Sequence, residues 1–244
     1  MTEEQAAKLR DLRADDDWSQ RNKGIATEDE ALKREINLKL FQVTPENYDA
    51  VIKGCEKYCS TIESCEIFIN ILIDKAWVQY KYTKLYAKMC INLGEKTWPW
   101  AKGKDSEERQ SNSHKKFKNF VVTKIRKEFL TGFRKFKENM TAWSKDPDMD
   151  EDYLFEKYLK DKNKIVGNIT FISELYILSY LPHKVMRFIT YKLITQYCDE
   201  IRQENEDNIK LRYPIYDEYL EALFKLLMFS GSKYMSREIR NIDK

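Results

Sequence analysis

Residues 117–136 read Phe117-Lys118-Asn119-Phe120-Val121-Val122-Thr123-Lys124-Ile125-Arg126-Lys127-Glu128-Phe129-Leu130-Thr131-Gly132-Phe133-Arg134-Lys135-Phe136. Phe117, Val121, Ile125, Phe129, Phe133 and Phe136 recur at steps of four, four, four, four and three. A strand would alternate every second residue, so this spacing predicts one face of an α-helix. An apolar stripe of this kind faces a core far more often than a ligand. The same segment is strongly basic: residues 115–137 carry nine Lys or Arg against the single acid Glu128.

Helical spacing continues on both sides. Downstream, Asp146-Pro147-Asp148 ends the region, and a new helix runs through Tyr153, Leu154 and Tyr158. A long pattern around Gly167-Asn168 carries Ile169, Ile172, Leu175 and Tyr176. Pro182 opens a partner with Val185, Met186, Ile189, Leu193 and Tyr197. Leu220, Leu223, Phe224, Leu227 and Met228 mark the last apolar face, ahead of Gly231. Upstream, Thr44-Pro45-Glu46-Asn47 predicts a helix start, with Thr44 as N-cap and Pro45 at the first helical position. A second start falls at Ser60-Thr61-Ile62-Glu63, before Cys65, Phe68, Ile69, Leu72 and Ile73. Tyr82, Leu85, Tyr86, Met89, Cys90 and Leu93 form the next face, with Gly94 expected as its C-terminal cap. Residues 94–113 break the periodicity. Helix pairs are thus expected from near 45, 82, 150 and 206. The fold expected is all-α: an α-solenoid of about four HEAT-type antiparallel pairs. A compact bundle would show the same local periodicity.

Composition agrees with a helical reading. Gly and Pro make up only twelve of 244 residues, about 5% against the roughly 12% of ordinary proteins. So few turn residues disfavour a sandwich or barrel. Residues 1–34 are polar and read as a flexible leader, with Asp15-Asp16-Asp17 ahead of a lone Trp18; residues 35–244 form the domain. The run Ile67-Phe68-Ile69-Asn70-Ile71-Leu72-Ile73 is too short to span a membrane. Nothing in the first thirty residues has the apolar core of a signal peptide, so Cys55, Cys59, Cys65, Cys90 and Cys198 are expected as reduced thiols among apolar or helical neighbours.

Catalytic chemistry has little to work with. His114 and His183 are the only histidines, and each reads as a solvated or capping side chain. Gly94-Glu95-Lys96-Thr97 lacks the spacing of a phosphate-binding loop. Cys55, Cys59 and Cys65 follow the apolar faces of two helices and lack a fourth metal ligand. No catalytic residue, metal ligand or cofactor is therefore expected. Trp98 and Trp100 fit packing over a helix end better than base stacking.

Three segments resemble the middle domain of eukaryotic translation initiation factor 4 gamma, a HEAT-repeat scaffold family. Leu40-Phe41-Gln42-Val43-Thr44-Pro45-Glu46-Asn47-Tyr48 is similar to the family's entry into its first repeat. Residues 117–129 are similar to its F-R-x-L-L-L-x-x-x-Q-K-E-F helix, with Arg126 where the family usually has Gln. Gly167-Asn168-Ile169-Thr170-Phe171-Ile172-Ser173-Glu174-Leu175-Tyr176 is similar to G-N-I-x-F-I-G-E-L-F. Their order agrees from about residue 36 to 232. The resemblance implies a cytoplasmic translation initiation scaffold without an active site. It would bind and stimulate the DEAD-box RNA helicase of the cap-binding complex and contact RNA weakly through charge. A nuclear member acting in splicing, message decay or cap binding is the alternative. The family normally continues through further helices after the segment matching residues 220–234, so truncation at the C-terminus is an expectation. Candidate helicase contacts are Trp18, Phe120, Lys124, Lys127 and Glu128; candidate RNA contacts are Lys115, Lys116, Lys118, Arg126, Arg134 and Lys135. A monomer without membrane contact is expected. A merely solvated charged face stays open for residues 115–137.

Overall fold

The computed structural model describes residues 28–144, 150–207 and 215–242. Apart from two one-turn 3-10 segments, their regular structure is entirely α-helical. Helix α1 spans Glu28–Phe41, α2 Tyr48–Cys55, α3 Ile62–Val78 and α4 Thr83–Gly94. Helix α5 spans Ser106–Ser144, α6 Glu151–Ile177, α7 His183–Asp207 and α8 Ile215–Ile242. Each odd-numbered helix packs on its even-numbered successor. The pairs then stack in two layers, α1 on α3 on α5 and α2 on α4 on α6 on α8. In a closed bundle α1 would return to α8; here that pair is not among the packed ones. The fold is an all-α solenoid of helix pairs.

Helix α6 is the hub, packing on α3, α4, α5 and α8. Its segment 167–176 contributes Ile169, Phe171, Ile172, Leu175 and Tyr176, all fully buried. Gly167 permits the approach to α3: a Cβ there would lie 2.1 Å from the Trp77 carbonyl oxygen. The expected stripe of α5 is buried throughout, from Phe117 to Phe136. Phe133 stacks on Tyr219 of α8 with ring centroids 4.3 Å apart.

Local chemistry moves several expected boundaries. Helix α1 begins at Glu28, ahead of the start expected near Glu35, with Glu28, Asp29 and Glu30 complementing the dipole of its first turn. Thr44 and Pro45 do not open a helix. The Thr44 backbone N–H donates to Asn47 Oδ1 at 2.8 Å, and the Asn47 side-chain Nδ2 donates to the Gln42 carbonyl. That turn makes Asn47 the residue before α2. The start at Thr61 is as expected, with Thr61 and Ser64 closing a reciprocal capping box. Gly94 ends α4 without a left-handed conformation. Its role is close contact, since a Cβ would meet Tyr180 Oη at 3.1 Å and Phe117 Cδ1 at 3.3 Å. Among the described residues the left-handed one is Ser179, at φ 64°, after α6.

The break expected over 94–113 is shorter, because α5 starts at Ser106, where the Glu108 amide donates to Asp105 Oδ1 at 2.7 Å. Trp98 and Trp100 pack back on the domain, their indole N–H groups donating to the carbonyls of Leu93 and Cys59. Asp146-Pro147-Asp148 lies outside the described residues; Asp150 caps α6 through the Tyr153 amide.

The last apolar face is the largest departure. On α8, Tyr219, Ala222, Leu226 and Ser230 are buried, whereas Phe224 is 57% and Met228 81% exposed, and Leu227 is also exposed. Polar contacts set the rotation of this helix. Buried Glu218 accepts from Tyr158 Oη at 2.5 Å and from Lys162 Nζ at 3.2 Å. Lys233 Nζ donates to the Ile177 carbonyl at 2.6 Å and to Ser179 Oγ at 2.7 Å. Cys55, Cys59, Cys65 and Cys90 are core thiols as expected, but Cys198 is exposed on α7.

Candidate partner-binding face

Helix α5 carries the candidate contacts, and its buried stripe sorts them. Lys124 is drawn inward. Its Nζ lies 3.0 Å from Asp74 Oδ1 of α3 and 3.0 Å from Glu128 Oε1 one turn on. The same ammonium sits 5.5 Å from the Trp77 ring centroid, and the side chain is only 15% exposed. Burial alone would lower its pKa; hydrogen bonds to Glu128 and Asp74 prevail and hold it above the ordinary lysine value. Lys124 and Glu128 thus tie α5 to α3, which sequence spacing did not reveal. The missing signal was Asp74, fifty residues away in the chain.

The other residues divide along the helix. Lys115, Lys116, Arg126, Lys127, Arg134 and Lys135 are exposed, while Lys118 and Phe120 are half-buried. Three cations lie over aromatic rings: Lys116 over Phe120 at 5.1 Å, Lys118 over Tyr180 at 5.1 Å and Arg126 over Phe188 at 5.6 Å. Arg134 pairs loosely with Glu138 at 3.8 Å. Trp18 lies outside the described residues. Lys184 of α7 was not singled out from sequence, yet it shares a groove with Arg126.

Two hollows flank α5. A cavity of about 200 Å³ lies where α3 ends, between α5 and α6, walled by Trp77, Phe129, Phe133, Asn168 and Ile169 with Lys135 and Lys164 also lining it. Gly132 lines it too, and a Cβ there would touch nothing within 4 Å. Among the described residues, Trp77 Nε1 and Asn168 Oδ1 are buried without a hydrogen-bond partner. The second hollow, of about 290 Å³, lies between α5 and α7 and has an aliphatic and aromatic floor.

The histidines serve structure. His114 Nδ1 lies 3.1 Å from the Gly94 carbonyl at the end of α4. His183 bridges Tyr176 Oη at 2.9 Å and Glu238 Oε1 at 2.6 Å, linking α6, α7 and α8. Burial raises the thiols of Cys55, to about 12, and of Cys90, so neither is a ready thiolate. No group of His, Cys, Asp or Glu suited to a metal ion occurs among the described residues. No helix among them is long and apolar enough to cross a membrane.

Known proteins give this face a context. The family model for the MIF4G domain matches residues 33–238. The chain is 24% identical over 227 residues to eukaryotic translation initiation factor 4G of Cucumis melo, covering 88% of this chain and 12% of that protein. It is 26% identical over 209 residues to eukaryotic translation initiation factor 4G of Arabidopsis thaliana, covering 85% and 11%. With eukaryotic translation initiation factor 4 gamma 2 of Mus musculus it shares 28% identity over 188 residues, covering 72% and 19%. The chain therefore spans less than a fifth of the length of these relatives. The match runs from within α1 into the last turns of α8 and takes in every stacked pair, so the chain belongs to the MIF4G domain family.

Proposed function

We propose that this domain is a cytoplasmic translation initiation scaffold that docks and stimulates a DEAD-box RNA helicase and holds RNA weakly by charge. The observation that carries the reading is the family match over residues 33–238, together with relatives named as translation initiation factors. Those names support initiation over the nuclear alternative. In this reading the domain performs no chemistry of its own. A scaffold that touches both helicase lobes lowers the cost of bringing them together, and such a population shift needs no catalytic residue.

Trp18, Phe120 and Lys127 are proposed helicase contacts, with Lys124 and Glu128 positioning α5 through Asp74. Exposed Lys115, Lys116, Arg134 and Lys135 supply the phosphate attraction. The test is affinity capture from cytoplasmic extract with the whole chain and with Trp18→Ala. Recovery of the initiation helicase, reduced by the substitution, supports the assignment. Recovery of a splicing or decay helicase in its place overturns it.

A further inference from the structure

The groove between α5 and α7 has a composition that specifies what can fill it. Elsewhere in this layer α1 packs on α3 and α3 on α5, but α5 and α7 are not among the closely packed pairs. Arg126 over Phe188 and the Lys137–Glu200 ion pair at 2.7 Å connect them across the gap. Beside the Arg126–Phe188 contact, Val122 and Ile125 of α5 and Val185 and Ile189 of α7 line a hollow of about 290 Å³. Val122, Val185 and Phe188 are only half-buried, so the floor keeps apolar surface open to a partner.

Charge then selects among partners. The two charged side chains lining the groove, Arg126 and Lys184, are both cationic and exposed. Among the described residues no carboxylate forms an ion pair with either. A carboxylate is therefore what the rim lacks, and an aliphatic side chain is what the floor lacks. RNA fits poorly. Stacking needs an open aromatic face, and the Phe188 ring is already covered by the Arg126 guanidinium. The volume lies near the roughly 300 Å³ lower limit of small-molecule sites, which suits a few anchoring side chains. An amphipathic helix laid along a groove between two helices presents such anchors at i, i+3, i+4 and i+7.

We propose that the α5–α7 groove docks an acidic amphipathic segment of a protein partner, with apolar side chains on Val122 and Val185 and carboxylates facing Arg126 and Lys184. The inference rests on the scaffold reading only in that the domain acts by binding.

The probe is a fluorescent 16-residue helical peptide with Leu at the four anchor positions and Glu on the remaining faces. Its controls are the same peptide with Lys for Glu and a single-stranded RNA of similar length. Anisotropy is measured against the whole chain and against the Arg126→Glu, Lys184→Glu double variant, whose positions are solvent-facing. A second variant, Val185→Ser, tests the floor, and melting curves verify that each variant folds. The acidic peptide should bind and the basic one should not. The double variant should weaken acidic-peptide binding at least tenfold, and Val185→Ser should weaken it at unchanged charge. Equal binding of the acidic peptide to the double variant overturns the proposal. So does an acidic peptide that fails to bind while RNA binds and is lost in the double variant, which makes the groove a nucleic-acid surface. Helicase stimulation is read on Val185→Ser, whose position is among neither the candidate helicase contacts nor the candidate RNA contacts. Loss of peptide binding with stimulation retained supports the groove as a separate site. Peptide binding by a domain that never stimulates the helicase also supports the groove and defeats only the scaffold reading.

Discussion

Lys124 shows how one side chain can look like a surface contact in sequence and act as a strut in the fold. Its ammonium is shared between Asp74 and Glu128, each at 3.0 Å, against the Trp77 ring. Lys124→Glu would leave three carboxylates facing one another, partly shielded from water. Removing one partner from such a cluster is strongly destabilising, and we expect a loss of about 2 kcal/mol or more. Lys127→Glu and Lys135→Glu change exposed side chains and should stay within about 0.5 kcal/mol. Urea titrations of the three variants measure this. The Lys127, Lys135 pair should also lower RNA affinity and flatten its salt dependence with the fold intact. An equal stability loss in all three variants would show that Lys124 is an ordinary surface lysine.

At the scale of the helix, two glycines make opposite predictions. Gly132 lies within α5 beside open space, since a Cβ would meet nothing within 4 Å. Gly132→Ala removes the backbone-entropy penalty of a helical glycine and should stabilise by about 0.5–1 kcal/mol. Gly167 lies where α6 crosses the end of α3, and its Cβ would sit 2.7 Å from Trp77 Cα. Gly167→Ala should force the helices apart and destabilise by about 1–3 kcal/mol despite the better propensity. Thermal melts that rank the two in the same direction would contradict this packing. Periodicity alone made the faces of α3, α4, α5 and α6 legible, because those helices bury a stripe along the solenoid. It misplaced α8, where Glu218 accepts from Tyr158 and Lys162 of α6 and Lys233 donates to the Ile177 carbonyl of α6, so that these bonds choose the buried face. Hydrophobic spacing carries no record of such partners. The Thr44-Pro45 start failed for a related reason: the Asn47 side chain closes a turn where generic capping rules predict a helix.

For the whole molecule, the succession of helices was readable but not their pairing: pairs expected from near 45, 82, 150 and 206 open instead at Glu28, Ile62, Ser106 and His183, and the choice between solenoid and bundle needed the two-layer stacking. The basic face was visible as composition; the α5–α7 groove was not, because it is made by helices whose contact residues lie some sixty positions apart. Buried acids that titrate at high pH give the assembled core a further signature. Burial raises the thiol of Cys55 and the phenols of Tyr86 and Tyr158 each to about 12. Their neutral forms are favoured in the folded state. The stabilisation is complete below the unfolded values, about 8.5 for Cys and 10 for Tyr, and is lost as pH rises toward 12. Melting temperature should therefore fall steeply from about pH 9 upward, and Tyr86→Phe should shallow the slope. A flat profile through pH 11 would contradict the burial of these groups.

We propose above all that the stacked pairs form a scaffold that accelerates a helicase and has no turnover of its own. The direct measurement is the ATPase rate of the DEAD-box initiation helicase with RNA, with and without this domain, beside the domain alone. We predict faster turnover on adding the domain, in proportion to complex formed, and no hydrolysis by the domain by itself. Nucleotide turnover by the isolated domain, or binding to the helicase without any acceleration, would contradict it.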